Sequence, residues 1–346
     1  MWFLFLLLAW LLCEYNHYKH HHRLVTKWRR SRRLSAPIRD SWNAKYQDSI
    51  PDVPLHNYLA SGLSRYEDGS ESVLQPHYKP VLYYSLLRGL HETSFAYAKY
   101  CGWSCRSLEG VWFWERGTGC TVLFLHGFGF GPYAYGSVLH DLSYTHRVIA
   151  PQYPGLSYDG RVDIPSIQDY ADVICRYTEG ESYSIVSNSF GTIVHHAILR
   201  KLGTDALCKI QRQIYVEPVC FYPYAGQLFT FVASTLWTCF KADTWRGRMM
   251  ATLSYLLVAK DRSTLYLCQQ ILEDPKWDGE IYLSSIPTTI ILSEHDALIR
   301  VPELRSYFQQ RHPSCQLIVM TNAYHGEALF SSQLKIRSLL ISQDKE

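Results

Sequence analysis

YSIVSNSFGTIVHHAILRKL, residues 183–202, combines three local signals. Its first six residues form a short apolar run, as expected for a buried parallel strand that helices cover on both faces. From Gly191 onward, apolar residues recur at the spacing of an amphipathic helix. Between these two parts lies Ser-Asn-Ser-Phe-Gly. The segment therefore predicts a strand, a sharp turn centred on Ser189 and a helix.

The turn makes Ser189 a candidate nucleophile. A serine at such a strand-to-helix turn has a strained backbone that exposes its hydroxyl oxygen. Small residues are needed two positions before and after the serine, so that strand and helix can cross closely. Gly191 meets this need, whereas Ser187 stands where glycine is usual and makes the pattern less specific. An ordinary Ser/Asn/Gly turn is the alternative interpretation.

The surrounding sequence predicts the fold class. Strand and helix signals alternate from about residue 108 to the end of the chain, which is typical of a mostly parallel sheet with helices on both faces. In such sheets the active site lies at the carboxyl ends of the strands. The predicted strands are 111–115, 121–126, 147–152, 183–188, 213–219, 288–294 and 316–320.

The loop after the second predicted strand is a candidate oxyanion hole. There Gly127 and Gly129 flank Phe128, and two glycines permit a loop whose backbone N–H groups point into a site. Two fixed N–H donors stabilise the negative oxygen of a tetrahedral intermediate. We expect these donors to be the amides of Phe128 and Phe190. A simple glycine-rich turn is the alternative.

Candidates for the acid and the base follow the last two predicted strands. Asp296 and then His325 occur there, so the chain order is serine, acid, histidine. In this arrangement His325 takes the Ser189 proton and later returns it to the leaving group, while Asp296 orients the imidazole. Glu217 and Glu294 also lie at strand ends and are rival candidates for the acid. A proline directly after Glu217 favours a structural turn there.

These motifs resemble those of the α/β-hydrolase superfamily over roughly residues 108–340. The matching segments are LHGFG, APQYPGLS, SNSFG, ILSEHDALI and AYHG. The resemblance implies an α/β-hydrolase fold, a mostly parallel central sheet with flanking helices, and a serine site that needs no cofactor and no metal. It also implies a cap after the sixth strand of the family's sheet. Residues 220–285, rich in large apolar side chains, occupy that place between core segments 108–219 and 286–346.

The N-terminal sequence predicts contact with a membrane. Residues 1–13 are apolar without interruption, and residues 14–34 carry seven lysines and arginines. We expect an anchor and a basic juxtamembrane segment. A thirteen-residue helix extends about 20 Å, less than the roughly 30 Å hydrocarbon core, so spanning and interfacial helices are both open, and a cleaved signal peptide is a third option. The positive-inside rule predicts a catalytic domain on the cytosolic side, and an endomembrane and a lipid droplet are both open as the membrane.

Composition restricts the partners. The formal net charge of +3 is too small to call for nucleic acid. The ten cysteines lack zinc-ligand spacing and are predicted to be reduced thiols, with a Cys101–Cys105 pair as the alternative. A histidine cluster at 17 and 20–22 is the one local candidate for a metal, and a basic tail without chemical function is the preferred interpretation. Residues 35–107 are predicted to be an N-terminal extension.

Together these features predict a carboxylic ester hydrolase of the lipase or esterase kind. The apolar cap and anchor favour a membrane-associated apolar substrate such as an acylglycerol. An acyltransferase with the same three residues and a non-catalytic scaffold of the same fold are the alternatives. Haloalkane and epoxide chemistry is disfavoured because those family members use aspartate where this chain has Ser189.

Overall fold

The structure is a computed structural model of the chain. It describes residues 10–16, 18–19, 79–129, 131–156, 164–221, 282–296, 298–331 and 336–341, together with residues 245, 248–249, 252, 264, 267–268 and 270. Most of the predicted cap lies outside the described residues, as do most of the apolar N-terminal run, most of the basic segment and the whole histidine cluster. Those predictions stay predictions.

An eight-stranded sheet lies at the centre, in the order β1-β2-β4-β3-β5-β6-β7-β8. The β1–β2 and β2–β4 pairs are antiparallel, and the other five pairs are parallel. The predicted mostly parallel sheet is therefore confirmed. The strands are β1 (Ser104–Leu108), β2 (Val111–Arg116), β3 (Thr121–Leu125), β4 (Arg147–Gln152), β5 (Tyr183–Asn188), β6 (Ile210–Val216), β7 (Thr288–Ser293) and β8 (Gln316–Met320).

Helices cover both faces of this sheet. Their bounds are α1 (Val81–Tyr100), α2 (Gly136–Leu142), α3 (Ile167–Tyr177), α4 (Gly191–Leu202), α5 (Ala206–Lys209), α6 (Val301–Arg311) and α7 (Ile336–Ile341). One apolar core joins the sheet to α3, α4 and α6, and a second core joins it to α1, α2 and α7. Every residue of β3 and β7 is buried, since both faces are covered, and each large aliphatic side chain so buried contributes about 1.5–3 kcal/mol.

Two strands differ from the sequence prediction by more than one residue at an end. The strand predicted over 213–219 begins at Ile210 and ends at Val216, so Glu217 lies just beyond it. β1 was not predicted, because Ser104–Leu108 is an edge strand with mostly exposed residues and no apolar run. The predicted boundary of the N-terminal extension at residue 107 falls inside this strand.

The helix-like stretch of the N-terminal extension forms α1. Its inner face buries Leu87 and His91, and the His91 Nε2 atom accepts a hydrogen bond of 2.8 Å from Gln152 Nε2 at the end of β4. Within the described ranges, no helix combines the length and the apolar character that crossing a bilayer requires. The described cysteines are all free thiols, including Cys101 and Cys105.

Candidate active site

The turn between β5 and α4 has a constrained geometry. Ser189 has a φ of +49°, and its backbone N–H donates to the Val216 carbonyl at 2.9 Å. A non-glycine residue in this left-handed region costs about 1–3 kcal/mol and persists only where its surroundings fix it. Gly191 is required for the close crossing, because a Cβ atom there would lie 2.2 Å from the Leu125 carbonyl oxygen. The backbone thus holds Ser189 at the carboxyl edge of the sheet.

The serine at position 187 has its own polar partners beneath the turn. It is fully buried and donates from its hydroxyl to the Ile214 carbonyl at 3.3 Å. Its Oγ atom lies 3.0 Å from His195 Nδ1, which must therefore carry the hydrogen of that contact. Burial, with His196 adding to it, lowers the pKa of His195 well below its usual range. Ser187 and a neutral His195 together occupy the space under the nucleophile.

The structure brings Ser189, His325 and Asp296 together. The Ser189 Oγ atom lies 2.8 Å from His325 Nε2, and His325 Nδ1 lies 2.6 Å from Asp296 Oδ2. The other Asp296 oxygen accepts the backbone N–H groups of Leu298 at 2.7 Å and Ile299 at 3.0 Å. The Asp296 side chain is fully buried, whereas that of His325 is 17% exposed. The three side chains form a continuous line of hydrogen bonds that ends at a partly accessible hydroxyl.

Electrostatics in this site favour the protonated imidazole. Burial lowers the pKa of His325, but the Asp296 carboxylate, with Glu217 as a smaller contributor, outweighs burial and raises it to about 9. An imidazolium ion formed by taking the Ser189 proton is therefore stabilised here. The neutral imidazole, which is the form that can act as a base, gains population as pH rises.

The two residues that carry the candidate oxyanion donors contact each other. The rings of Phe128 and Phe190 stack with centroids 4.5 Å apart. No hydrogen bond links either backbone amide to another described residue. A Cβ atom at Gly127 would lie 3.0 Å from Tyr135 Oη and 3.2 Å from Ser189 Cβ, so a larger residue would crowd the nucleophile. Gly129 has a φ of +119°, which only glycine adopts readily.

His126 connects this loop to the next one along the sheet. Its Nδ1–H donates to the Gly127 carbonyl at 2.7 Å, and its Nε2 accepts the Tyr153 N–H at 3.1 Å. Burial lowers the pKa of His126 to about 4, with the Gly127 carbonyl opposing the change. This neutral imidazole has a structural role and does not contact the serine hydroxyl.

Neither rival acid hydrogen-bonds to the imidazole in the described part of the chain. Glu294 is about half exposed and accepts the Asn322 N–H at 2.8 Å. Glu217 is fully buried and accepts hydrogen bonds from the loop that carries His325. Sequence reasoning assigned Glu217 to a turn and missed this contact; its only signal was an acidic residue directly after a buried strand. Among the described residues, no group of three or more histidine, cysteine or acidic side chains is placed to hold a metal.

Comparisons with known proteins identify the family and the fold. Residues 122–333 match the model of the Alpha/beta hydrolase family, and no curated protein matches the chain. A solved structure of a mutant form of DBJA is 15% identical, covering 70% of this chain and 99% of its own, with a TM-score of 0.52. Naproxen esterase from Bacillus subtilis is 15% identical, with coverages of 73% and 96% and a TM-score of 0.50. Est816, described as an N-acyl homoserine lactone degrading enzyme, is 18% identical, with coverages of 69% and 100% and a TM-score of 0.50.

At these identities the solved structures show the shared fold, while the family model spans more than half of the chain. The confirmed sheet, the helices on both of its faces and the serine turn after β5 are the features of that fold. The chain belongs to the alpha/beta hydrolase family.

Proposed function

We propose that this protein is a serine hydrolase of carboxylic esters. The observation that carries the proposal is the line of hydrogen bonds from Ser189 through His325 to Asp296, at 2.8 and 2.6 Å. Each member follows the carboxyl end of a parallel strand, namely β5, β8 and β7. Serine, histidine and aspartate in this order and geometry are the components of nucleophilic acyl transfer.

The reaction uses the groups in a defined sequence. Ser189 Oγ attacks the ester carbonyl carbon while His325 Nε2 takes the hydroxyl proton. The negative oxygen of the tetrahedral intermediate accepts the free N–H groups of Phe128 and Phe190. His325 then gives its proton to the departing alkoxide, which leaves an acyl-enzyme. A water molecule, deprotonated by His325, attacks the carbonyl carbon of this ester. His325 then returns the proton to Ser189 Oγ as the bond to the acyl carbon breaks and the carboxylic acid leaves.

Labelling with a fluorophosphonate probe tests the nucleophile. We expect the full chain to be labelled and Ser189→Ala to lose both labelling and hydrolysis of p-nitrophenyl esters, by about 10⁴-fold or more. Ser306→Ala is the matched control, because Ser306 is exposed on α6, far from the line of hydrogen bonds. Absence of labelling in the natural chain, or equal labelling of Ser189→Ala, contradicts the proposal and favours a non-catalytic scaffold.

We further propose an apolar, lipid-like ester as the substrate and a membrane surface as the place of action. Support comes from the apolar residues 1–13, from the basic segment after them and from α1. Leu82, Leu86 and Leu90 recur every fourth residue along α1 and are 57%, 61% and 54% exposed. The Val81 N–H at the start of α1 donates to Glu14 Oε2 at 3.0 Å, so the first residue of this helix contacts the residue that follows the apolar run.

Two measurements test the substrate and the membrane. We expect kcat/KM to rise with acyl-chain length in a series of p-nitrophenyl esters.

We also expect the chain to sediment with vesicles that contain anionic lipid, and removal of residues 1–33 to release it. Replacing Leu82, Leu86 and Leu90 with glutamate should weaken sedimentation, while Arg88→Glu on the same helix controls for charge alone. A preference for short acyl chains, or sedimentation unchanged by these variants, contradicts this part of the proposal. Products analysed with an added alcohol distinguish hydrolysis from acyl transfer.

A further inference from the structure

Glu217 follows β6 directly and has an unusual conformation. It is fully buried, and its φ is +49°, in the left-handed region that is strained for a non-glycine residue. Its backbone N–H donates to the Ile291 carbonyl on β7 at 2.8 Å. The backbone is thus fixed by the neighbouring strand while the side chain is directed to the site. A strained, buried carboxylate of this kind points to a role beyond a turn.

The Glu217 carboxylate is surrounded by hydrogen-bond donors. Oε2 accepts the Gly326 N–H at 2.7 Å and the Asn188 Nδ2–H at 3.2 Å. Oε1 accepts the Ser293 hydroxyl at 2.5 Å and the Ala328 N–H at 3.3 Å. Two of these donors are backbone groups of the loop that carries His325, and the others lie at the ends of β5 and β7. One carboxylate therefore joins the nucleophile strand, the acid strand and the histidine loop.

The same network continues to the candidate oxyanion loop. Asn188, which is bonded to Glu217, uses its Oδ1 atom to accept the Tyr135 hydroxyl at 2.7 Å. The Tyr135 oxygen in turn accepts the Gly127 N–H at 3.1 Å. Asn188 is the residue immediately before Ser189. A continuous buried chain of hydrogen bonds thus runs behind the nucleophile from one candidate loop to the other.

We infer that Glu217 is a positioning residue, which holds the His325 loop against the nucleophile strand and sets its spacing from the oxyanion loop. Its kinetic consequence rests on the proposed function. Asp296 contacts the imidazole itself, whereas Glu217 contacts the backbone on the carboxyl-terminal side of His325. Hydrogen bonds to a charged group are stronger than those between neutral groups, so the two from Gly326 and Ala328 can hold a short loop.

Glu217 also acts on His325 through its charge. The titratable groups that act on it are His325 and Asp296, and Glu217 in turn raises the pKa of the buried Tyr135. Burial raises the pKa of Glu217, His325 opposes this change and Asp296 adds to it. The four donors stabilise the ionised carboxylate, and that charge contributes to the raised pKa of His325. Loss of the charge should therefore lower the pKa of the imidazole.

The variant Glu217→Gln in the full chain tests the inference. An amide of the same shape keeps its oxygen for Gly326 and Asn188 and turns its NH₂ group toward Ser293 and Ala328, so the charge and one backbone bond are lost. We expect kcat to fall by about 10–100-fold, as for other residues that orient an active group, with KM changed by less than about threefold. The acidic limb of the kcat/KM profile should move on the order of 1 pH unit lower.

Glu115→Gln is the matched control. Like Glu217, Glu115 is a buried glutamate. It lies on β2 and pairs with Arg147 at 2.9 Å. We expect this variant to lower thermal stability and leave the pH profile in place. If Glu217→Gln only lowers stability, as Glu115→Gln does, and keeps both its kcat and its acidic limb, the inference is overturned.

A second readout does not depend on catalysis. The His325 Cε1–H resonance, assigned by comparison with His325→Gln, can be titrated in the natural chain and in Glu217→Gln. We expect a lower pKa in Glu217→Gln and no change in Glu115→Gln. If the natural chain hydrolyses no ester, the proposed function fails while this titration still decides the Glu217 assignment. An unchanged titration of His325 contradicts the assignment even in an active enzyme.

Discussion

Asp296 and Glu217 are two carboxylates at the ends of neighbouring strands, β7 and β6, yet their partners differ. One Asp296 oxygen contacts the His325 imidazole at 2.6 Å, and the other accepts two backbone amides of its own loop. Glu217 accepts four hydrogen bonds, two of them from the backbone of the histidine loop. The comparison teaches that a position at a strand end places a carboxylate near the site, while the local loop decides whether it meets the ring or the backbone.

The largest expected effect is that of Asp296→Asn. The amide NH₂ would donate to His325 Nδ1, so the imidazole would carry its hydrogen on Nε2 and could not accept the Ser189 proton. We expect kcat/KM to fall by about 10⁴-fold, as in serine proteases with this change. Steady-state kinetics with a p-nitrophenyl ester measure it. A loss below tenfold would contradict the assignment of Asp296 as the acid and favour Glu217 in its place.

The pH dependence should show that both carboxylates act on one imidazole. His325 must be neutral to accept the proton, and its pKa is raised to about 9 by Asp296 and Glu217 against the effect of burial. Because the protonated form is inactive, activity should be lost as pH falls through this pKa, by about tenfold for each pH unit below it. The kcat/KM profile from pH 6 to 10 measures this limb. A midpoint at or below that of free histidine would contradict it.

The double variant Asp296→Asn/Glu217→Gln sharpens the distinction between contact and positioning. Once Asp296→Asn has put the imidazole in the wrong tautomer, exact placement of its loop has little further effect. We expect the double variant to lie within about threefold of Asp296→Asn alone, since residues that act as a unit are not additive. Kinetics of the four proteins in the cycle decide this. Full additivity would mean that Glu217 acts independently of His325.

The smallest effect on catalysis is expected at Ser187, which contacts neither carboxylate. Removing its hydroxyl in Ser187→Ala leaves His195 Nδ1–H without the partner 3.0 Å away in the sheet interior. An unsatisfied buried donor costs about 1–3 kcal/mol, so urea unfolding should show lower stability, while kcat/KM stays within about threefold. If Ser187→Ala lowered activity without lowering stability, the Ser187 hydroxyl, which replaces the usual glycine, would have a role in the chemistry.

Much of the fold was predictable because a strand that is buried on both faces has a recognisable run of apolar residues in the sequence. β3, β5 and β7 are covered on both faces, and continuous apolar runs mark them. β1 was not predictable in this way, since an edge strand with exposed residues has no such run. The sheet order was not predictable from those runs either, because β3 lies between β4 and β5 only after the chain has crossed over.

The candidate site divides in the same manner. The turn at Ser189 follows from a local pattern, since a strained φ and a close helix crossing require small neighbours such as Gly191. The role of Glu217 left no pattern, because its partners in the histidine loop are backbone amides, which every residue except proline possesses. Ser187 was recognised in the sequence as a departure from the usual glycine, but its contact with His195 was not predicted.

The sequence by itself determined the apolar strands, the serine turn and the chain order of the candidate nucleophile, acid and base, since each can be read along the chain. Only the tertiary structure decided that Ser189 meets His325 across 136 residues, and that Asp296 rather than Glu217 contacts the ring. The physical reason is that such distances depend on which strands lie side by side and on how each loop leaves its strand. Both are properties of the packed sheet.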